Sequence, residues 1–318
     1  MRVLVTGAAG FIGSRLTATL ADQGHEVIGL DALTPYYEPE LKRARLGELG
    51  RLDGIETVAG DLNEVELEPI VDECEAVFHL AAQPGVRASW TGFEQYVADN
   101  VLATQRLLAA LEPDHVRRFV FASSSSVYGQ VTGSVDESAP TRPYSPYGVT
   151  KLAAEALCGA YAQNFGLPVV SLRLFTVYGP GQRPDMATYR LIRASLLGEK
   201  FPMFGDGSQV RSFTYVDDVV SAAIATLDHD VEPGTVVNVS GGATCSLTDV
   251  IDTVEAVTGL PVPIDRLGAE AGDVTRTDAV IERAQRLLDW SPRPGLRDGV
   301  AGQVAWMRDH LDAPTASR

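Results

Sequence analysis

Tyr147 and Lys151 stand four residues apart in the run Tyr147-Gly148-Val149-Thr150-Lys151, a spacing that puts a phenol and an ammonium on one face of a helix. A tyrosine with its ordinary pKa of about 10 is a poor base at neutral pH, and a cation beside it favours the phenolate. The pair is therefore a candidate base. The same spacing occurs on ordinary surface helices, so its meaning rests on what the rest of the chain places near it.

Two other stretches carry chemistry. Thr6-Gly7-Ala8-Ala9-Gly10-Phe11-Ile12-Gly13 lies between an apolar strand and a helical run with Leu16 and Leu20. Small residues there let the backbone approach a pyrophosphate, and a helix N-terminus offers unpaired N–H groups. The spacing is G-x-x-G-x-x-G rather than G-x-G-x-x-G; its position between strand and helix gives it weight. Asp31 ends the next strand, where a carboxylate can accept hydrogen bonds from ribose hydroxyls and repel a 2′-phosphate, which points to NAD rather than NADP. Asp61 ends the third strand, placed to meet an adenine amino group. Ser123-Ser124-Ser125-Ser126 follow the fifth strand; serines are ordinary turn residues, but doubly wound folds bind ligands at this end of their strands.

The elements that must position these groups alternate regularly. Predicted strands cover Arg2–Val5, Val27–Leu30, Ile55–Ala59, Val77–Ala81, Arg118–Ala122 and Val169–Phe175. Between them lie helical stretches, among them Tyr36–Leu52, Phe93–Leu111 and the helix of Tyr147. This is the pattern of an α/β, doubly wound parallel sheet. His79, inside an apolar strand, reads as a packed core histidine. Glycines and prolines in Thr176–Met186 interrupt the alternation, so a nucleotide-binding domain is expected at 1–175 and a smaller mixed α/β substrate region at 176–210 and 241–318. Segments near 211–240, including Val210–Asp218 and the strand Val236–Val239, are expected to return to the first domain. Ser246–Thr258 reads as a Ser-capped helix, Ile281–Leu288 as another, and Ala313–Arg318 as a frayed end.

Composition narrows the class. The 318 residues are 45% hydrophobic and 21% charged, as in globular proteins, and no apolar run is long enough for a bilayer. The chain opens on a strand, leaving no room for a signal peptide, so a cytoplasmic protein is expected. A net charge of -16, from 42 acidic and 26 basic residues, disfavours nucleic acid and anionic membranes. An anionic substrate would need local arginines. Cys74, Cys158 and Cys245 are too scattered for a metal site or a disulfide framework and read as small buried hydrophobes.

With these residues assembled, the chain resembles the extended short-chain dehydrogenase/reductase superfamily, in particular its nucleotide-sugar epimerases and dehydratases. The matching segments are Thr6–Gly13, Asp31, Asp61-Leu62, His79–Gln83, Asn100, Ser123–Gly129, Tyr147–Lys151, Tyr178-Gly179-Pro180 and Arg211–Asp218. The resemblance implies a Rossmann-type domain holding NAD through Gly7, Gly10, Phe11, Ile12, Gly13, Asp31, Asp61 and Leu62. Leu80, Ala81, Ala82, Gln83, Asn100, Tyr147 and Lys151 complete that set. It also implies a UDP-sugar substrate and a catalytic set of Ser124, Tyr147 and Lys151, Ser124 standing three residues before Val127. Similar dehydratases carry Asp-Glu where this chain has Ser125-Ser126, and related decarboxylases a Glu at the second place. Both are hydroxyls here, which argues against water elimination.

Within the superfamily, Gln83–Arg87, Leu174–Pro180 and Arg183–Ala187 look most like UDP-glucuronate 4-epimerases, whereas UDP-glucose epimerases tend to have Asn where Thr176 stands. Hydroxyls at Ser125, Ser126 and Thr176, with Ser124 and Arg87, would hold the sugar and its carboxylate, and Arg183 would serve the carboxylate or a phosphate. Arg211 and Arg276 would hold the diphosphate. In Gly272-Asp273-Val274-Thr275-Arg276-Thr277-Asp278-Ala279-Val280 the family's second Asp is missing. The open alternatives are a UDP-glucose/UDP-galactose 4-epimerase, a UDP-glucuronate decarboxylase and, in another class, a non-catalytic NAD-sensing regulator. The resemblance further implies a homodimer. Its contact would be built from Val97–Leu111 and from Leu152, Ala156, Leu157, Ala160 and Tyr161.

Overall fold

A computed structural model describes residues 1–242, 244–268 and 275–311. The first half alternates through β1 (Arg2–Thr6), α1 (Phe11–Asp22), β2 (Glu26–Asp31), α2 (Pro39–Leu49), β3 (Ile55–Ala59) and the short α3 (Glu68–Val71). It continues with β4 (Ala76–His79), α4 (Phe93–Val97), α5 (Ala103–Ala109), β5 (Arg118–Ser124), α6 (Pro146–Phe165) and β6 (Val169–Leu174). Then follow β7 (Thr176–Tyr178), α7 (Ala187–Leu197), β8 (Phe201–Phe204), β9 (Val210–Tyr215), α8 (Val216–Asp228) and β10 (Thr235–Val239). The last elements are β11 (Thr244–Ser246), α9 (Leu247–Thr258), β12 (Ile264–Leu267), β13 (Arg276–Thr277), α10 (Glu282–Leu288) and α11 (Leu296–Leu311).

Among the described residues seven parallel strands form one sheet in the order β10-β6-β5-β4-β1-β2-β3. The order reverses at β1/β4, the switch point of a doubly wound α/β fold. Alternation along each strand divides the core. Val3, Val5, Phe78 and Val120 face the layer of α1, α8 and α10, whereas Leu4, Val77, Phe119 and Phe121 face α3, α5 and α6. A period of two on strands buried on both faces explains why they read as continuous apolar runs.

A second core gathers Leu191 and Ile192 of α7, Phe201 and Met203 of β8, Val250 and Val254 of α9 and Val300, Val304 and Met307 of α11. The strands over it form a small sheet, β11-β9-β13 with β7 beside β9, and the pair β12-β8. Val210–Tyr215, expected to return to the first domain, pairs instead in this small sheet with β7, β11 and β13. Its odd residues Phe213 and Tyr215 pack into the second core, which draws the strand away from the large sheet. The return begins one element later, with α8 against α1 through Arg15 and Asp217 (2.8 Å), and with β10 beside β6.

Ser246 caps α9 in a reciprocal box with Asp249. Of the described helices, none is long and apolar enough to cross a membrane. The Gly272-Asp273-Val274 departure and the Ala313–Arg318 end lie outside the described residues.

Candidate active site

A cleft of about 430 Å³ opens at the carboxyl ends of the large sheet. Gly7, Gly10, Phe11, Ile12 and Gly13 form one wall, Asp31, Asp61 and Leu62 the next, and Leu80, Ala81 and Ala82 a third. Ser124, Ser125, Ser126, Tyr147, Lys151, Thr176 and Arg183 line the opposite end. Residues separated by up to 176 positions in sequence therefore share one cavity because each ends a strand or begins a helix at the same edge.

The residues present fit a dinucleotide. No side chain caps α1, which leaves its first-turn amides for an anionic ligand. A β-carbon at Gly13 would collide with the Gly7 carbonyl, so the turn closes only with glycine there. Asp31 accepts from the backbone N–H groups of Ala9 (3.0 Å) and Leu33 (2.7 Å), which fixes its carboxylate and leaves lone pairs for ribose hydroxyls. Asp61 is fixed by the Asn63 N–H at 2.8 Å.

At the other end, Ser145 caps α6 by accepting from the Gly148 N–H (3.1 Å), with Pro146 in the first turn, which aims Tyr147 at the cleft. The Tyr147 hydroxyl lies beside Ser124, and its ring meets Tyr96 edge-on at 6.2 Å. Ser124 in turn accepts from the Ser126 N–H at 3.1 Å. The Tyr96 hydroxyl lies 2.6 and 2.8 Å from the carbonyls of Pro84 and Gly85, pinning the loop after β4.

The charge relation within the pair differs from the sequence expectation. Burial pushes the Tyr147 phenol above its ordinary value, opposed by the neighbouring Ser124 and the charge of Arg183. The Lys151 ammonium lies 4.5 Å from the centre of the Phe121 ring, and no hydrogen bond joins it to the phenol. Burial brings Lys151 down to about 8, while Cys158 and Glu155 oppose the shift. The chain by itself holds a neutral phenol beside a cation of weakened hold on its proton; a phenolate requires further positive charge in the cleft.

Five expected site residues lie outside the cleft lining. Asn100 is buried with both ends of its amide engaged: Oδ1 accepts from the Gln83 N–H (2.7 Å), and Nδ2 donates to the Gln83 carbonyl (3.2 Å) and Thr150 Oγ1 (3.0 Å). It braces the Gln83 loop to α6. It does so from a π-helical turn, Ala98–Leu102, between α4 and α5. Arg87 stacks on Phe204 of β8, 4.5 Å from the ring centre. Arg211 donates to the Val210 carbonyl (2.9 Å), and Arg276 to Asp278 (2.8 Å). Arg211 stands opposite Thr277 and Val210 opposite Arg276, so by the pleat the two arginines leave opposite faces of the small sheet.

His79 is buried and neutral. Thr104 Oγ1 donates to the Asn100 carbonyl, so it accepts from His79 Nε2–H (2.9 Å); Nδ1 accepts from Thr6 Oγ1 (2.7 Å), itself the acceptor of the Ala81 N–H (3.2 Å). This ties β1, β4 and α5 together beneath the cleft. Sequence reading missed Thr34, Tyr37 and Lys42, which line the cleft with Asp31, and Tyr36, whose ring lies under the Arg183 guanidinium at 5.6 Å. Lys42 donates to Thr34 Oγ1 at 3.0 Å. Their position just after the strand-end Asp31 was the available signal.

Such a cleft, at the switch point of a parallel sheet with a Ser–Tyr contact over it, defines a Rossmann-type protein of the extended short-chain dehydrogenase/reductase superfamily. The chain belongs to the NAD dependent epimerase/dehydratase family, whose sequence profile matches residues 3–240. It is similar to an uncharacterised UDP-glucose epimerase, YtcB, of Bacillus subtilis strain 168, at 42% identity over 96% of this chain and 98% of that one. It is 35% identical to a UDP-glucuronate 4-epimerase of Thermodesulfobacterium geofontis, over 97% of each chain. The crystal structure of UDP-glucuronic acid 4-epimerase from Bacillus cereus with UDP-glucuronic acid and NAD superposes with a TM-score of 0.93, at 39% identity over 98% of this chain and 100% of that one.

Proposed function

We propose that this protein is an NAD-dependent isomerase that interconverts UDP-glucuronate and UDP-galacturonate by epimerisation at position 4 of the sugar. The observation that carries this reading is the composition of the cleft around Tyr147. Ser125, Ser126, Thr176 and Arg183 line the cleft together with Tyr147, and the carboxylates lining it, Asp31, Asp61 and Asp99, belong to the β2, β3 and α4–α5 side. A sugar carboxylate would find hydroxyl donors and a guanidinium at that end, where the acid present, Asp185, is paired with Arg183. Arg183 is held in a bidentate pair by Asp185 (2.9 and 3.0 Å), so it must exchange partners to reach a substrate.

In this mechanism Tyr147 takes the proton from the sugar 4-hydroxyl and Ser124 hydrogen-bonds the same oxygen, fixing it in line. When bound, NAD supplies a positively charged acceptor for hydride, which it later returns. Lys151 adds positive charge on the Tyr147 side. The 4-keto sugar turns about its diphosphate link, and Tyr147 returns the proton to the oxygen on the new face. Ser125, Ser126 and Thr176 hold the carboxylate of this β-keto acid away from the geometry in which carbon dioxide leaves.

The test is incubation with UDP-glucuronate and NAD⁺, with products resolved by NMR. UDP-galacturonate supports the reading. UDP-pentose moves it to a decarboxylase, and turnover of UDP-glucose alone to a neutral-sugar epimerase, the reading favoured by similarity to the Bacillus subtilis protein. Tyr147→Phe that leaves a measurable function unchanged would point to an NAD-sensing regulator.

We further infer a homodimer. Trp90 is 61% exposed, and with Phe93, Tyr144 and Val149 it lines one apolar hollow at the start of α4 and α6. Light scattering after size exclusion distinguishes a dimer of this chain from a monomer.

A further inference from the structure

Glu155 lies one helical turn beyond Lys151 on α6, away from the cleft lining, and both its oxygens are used. Oε1 accepts from Arg173 Nη2 (2.6 Å), and Oε2 from Arg173 Nε (3.1 Å) and from Ser123 Oγ (2.5 Å). All three residues are buried. Ser123 is the last residue of β5 before Ser124, and Arg173 sits on the neighbouring strand opposite Ser123. Arg173 also donates to Tyr128 Oη (2.8 Å), whose hydroxyl donates to Asn238 of β10 (2.7 Å). A buried ion pair is a poor device for stability alone, because desolvation offsets most of its attraction; its place beside a reactive group points to a positional task.

We propose that Glu155 is a positioning residue for the reaction at Tyr147: it locks the Ser123–Ser124 corner of β5 against α6 and supplies the negative charge that Lys151 has no direct partner for. The groups around Lys151 are few. Tyr147, Glu155 and Cys158 share its helix, His79 approaches from β4 as a neutral ring, and Arg173 of β6 lies behind Glu155. Of these, Glu155 is the carboxylate, and with Cys158 it opposes the downward pull of burial on the ammonium. The catalytic part of this inference rests on the proposed epimerase reading, whereas its electrostatic part does not.

The chain contains three lysines, Lys42, Lys151 and Lys200, so ¹³Cε-lysine NMR follows Lys151 directly, its signal being assigned by its loss in Lys151→Met. In Glu155→Gln, an isostere that keeps a hydrogen-bonding group against Ser123, the Lys151 titration is expected to move to lower pH by roughly half a unit or more. Ser123→Ala, with the charge intact, should leave that titration in place and lower kcat on the order of 10-fold, through a misplaced Ser124. If Glu155→Gln does not fold, Glu155→Gln/Arg173→Gln removes both charges together and should move Lys151 in the same direction. A Lys151 midpoint unmoved in the folded variant overturns the electrostatic part. Full activity in Ser123→Ala overturns the positional one. Failure to turn over any UDP-sugar, with the Lys151 shift present, would count against the epimerase reading and not against the role of Glu155.

Discussion

Gly148 stands so close to Ser126 that a β-carbon on it would lie 2.6 Å from the Ser126 carbonyl oxygen. The start of α6 is thereby seated on the serine loop, and this approach holds Tyr147 against Ser124. Alanine in a helix is ordinarily better than glycine by about 1 kcal/mol. Here a contact of that length with backbone forces α6 and the loop apart, so the clash wins. Gly148→Ala should lower the melting temperature and reduce kcat on the order of 10- to 100-fold. An unchanged melting temperature with full turnover would show that the loop yields without cost.

The rate should decline on the alkaline side with a midpoint near about 8, where burial has brought Lys151. The sign follows from the charge. Below that value the ammonium is present and favours the phenolate; above it the charge is lost and Tyr147 reverts toward a neutral phenol. A kcat/KM profile measured from neutrality to pH 10 reads the limb. A profile that rises through this range would assign the limb to Tyr147 deprotonation instead.

Asn100 acts by bracing the loop after β4. Asn100→Ala removes three hydrogen bonds in a buried place and leaves the Gln83 N–H and carbonyl without their partner. The expected loss is about 1–3 kcal/mol of stability in denaturant titration. Retained NAD should fall with the loosened loop while the pH profile keeps its shape. A variant as stable as the parent, but devoid of NAD, would make Asn100 a direct contact.

His79 makes stability fall in acid. Burial, with the charge of Lys151, lowers it to about 3 from the ordinary 6.5, so the folded protein keeps a neutral ring that the unfolded chain protonates. Its contribution is intact above the unfolded value and is lost as pH falls from 6.5 toward about 3, by up to about 1.4 kcal/mol per pH unit. Denaturation midpoints between pH 7 and 4 should fall less steeply in His79→Gln. Parallel slopes would place the acid sensitivity elsewhere.

Much of this architecture is legible in the chain because its signals are local. Leu4 and Val77 belong to apolar runs as strands buried on both faces must, and Gly7, Gly10 and Gly13 mark a turn by spacing alone. Asp31 follows at a strand end, and Tyr147 and Lys151 share a face because the helix repeats every 3.6 residues. These regularities depend on the backbone period within a few residues of each position.

What the tertiary structure decided depends on distant neighbours. The register between β9 and β13 separates Arg211 from Arg276, and two interleaved cores send Val210–Tyr215 to the small sheet. Asn100, which matched a cofactor position, spends its amide on Gln83 and Thr150. The four-residue spacing of Tyr147 and Lys151 is a property of one helix, whereas the protonation of each is set by what buries it: Phe121, Ser124, Glu155 and the surrounding core. A pKa measures solvation and field at one point in space, and that point is assembled only when strands far apart in the sequence end at the same edge.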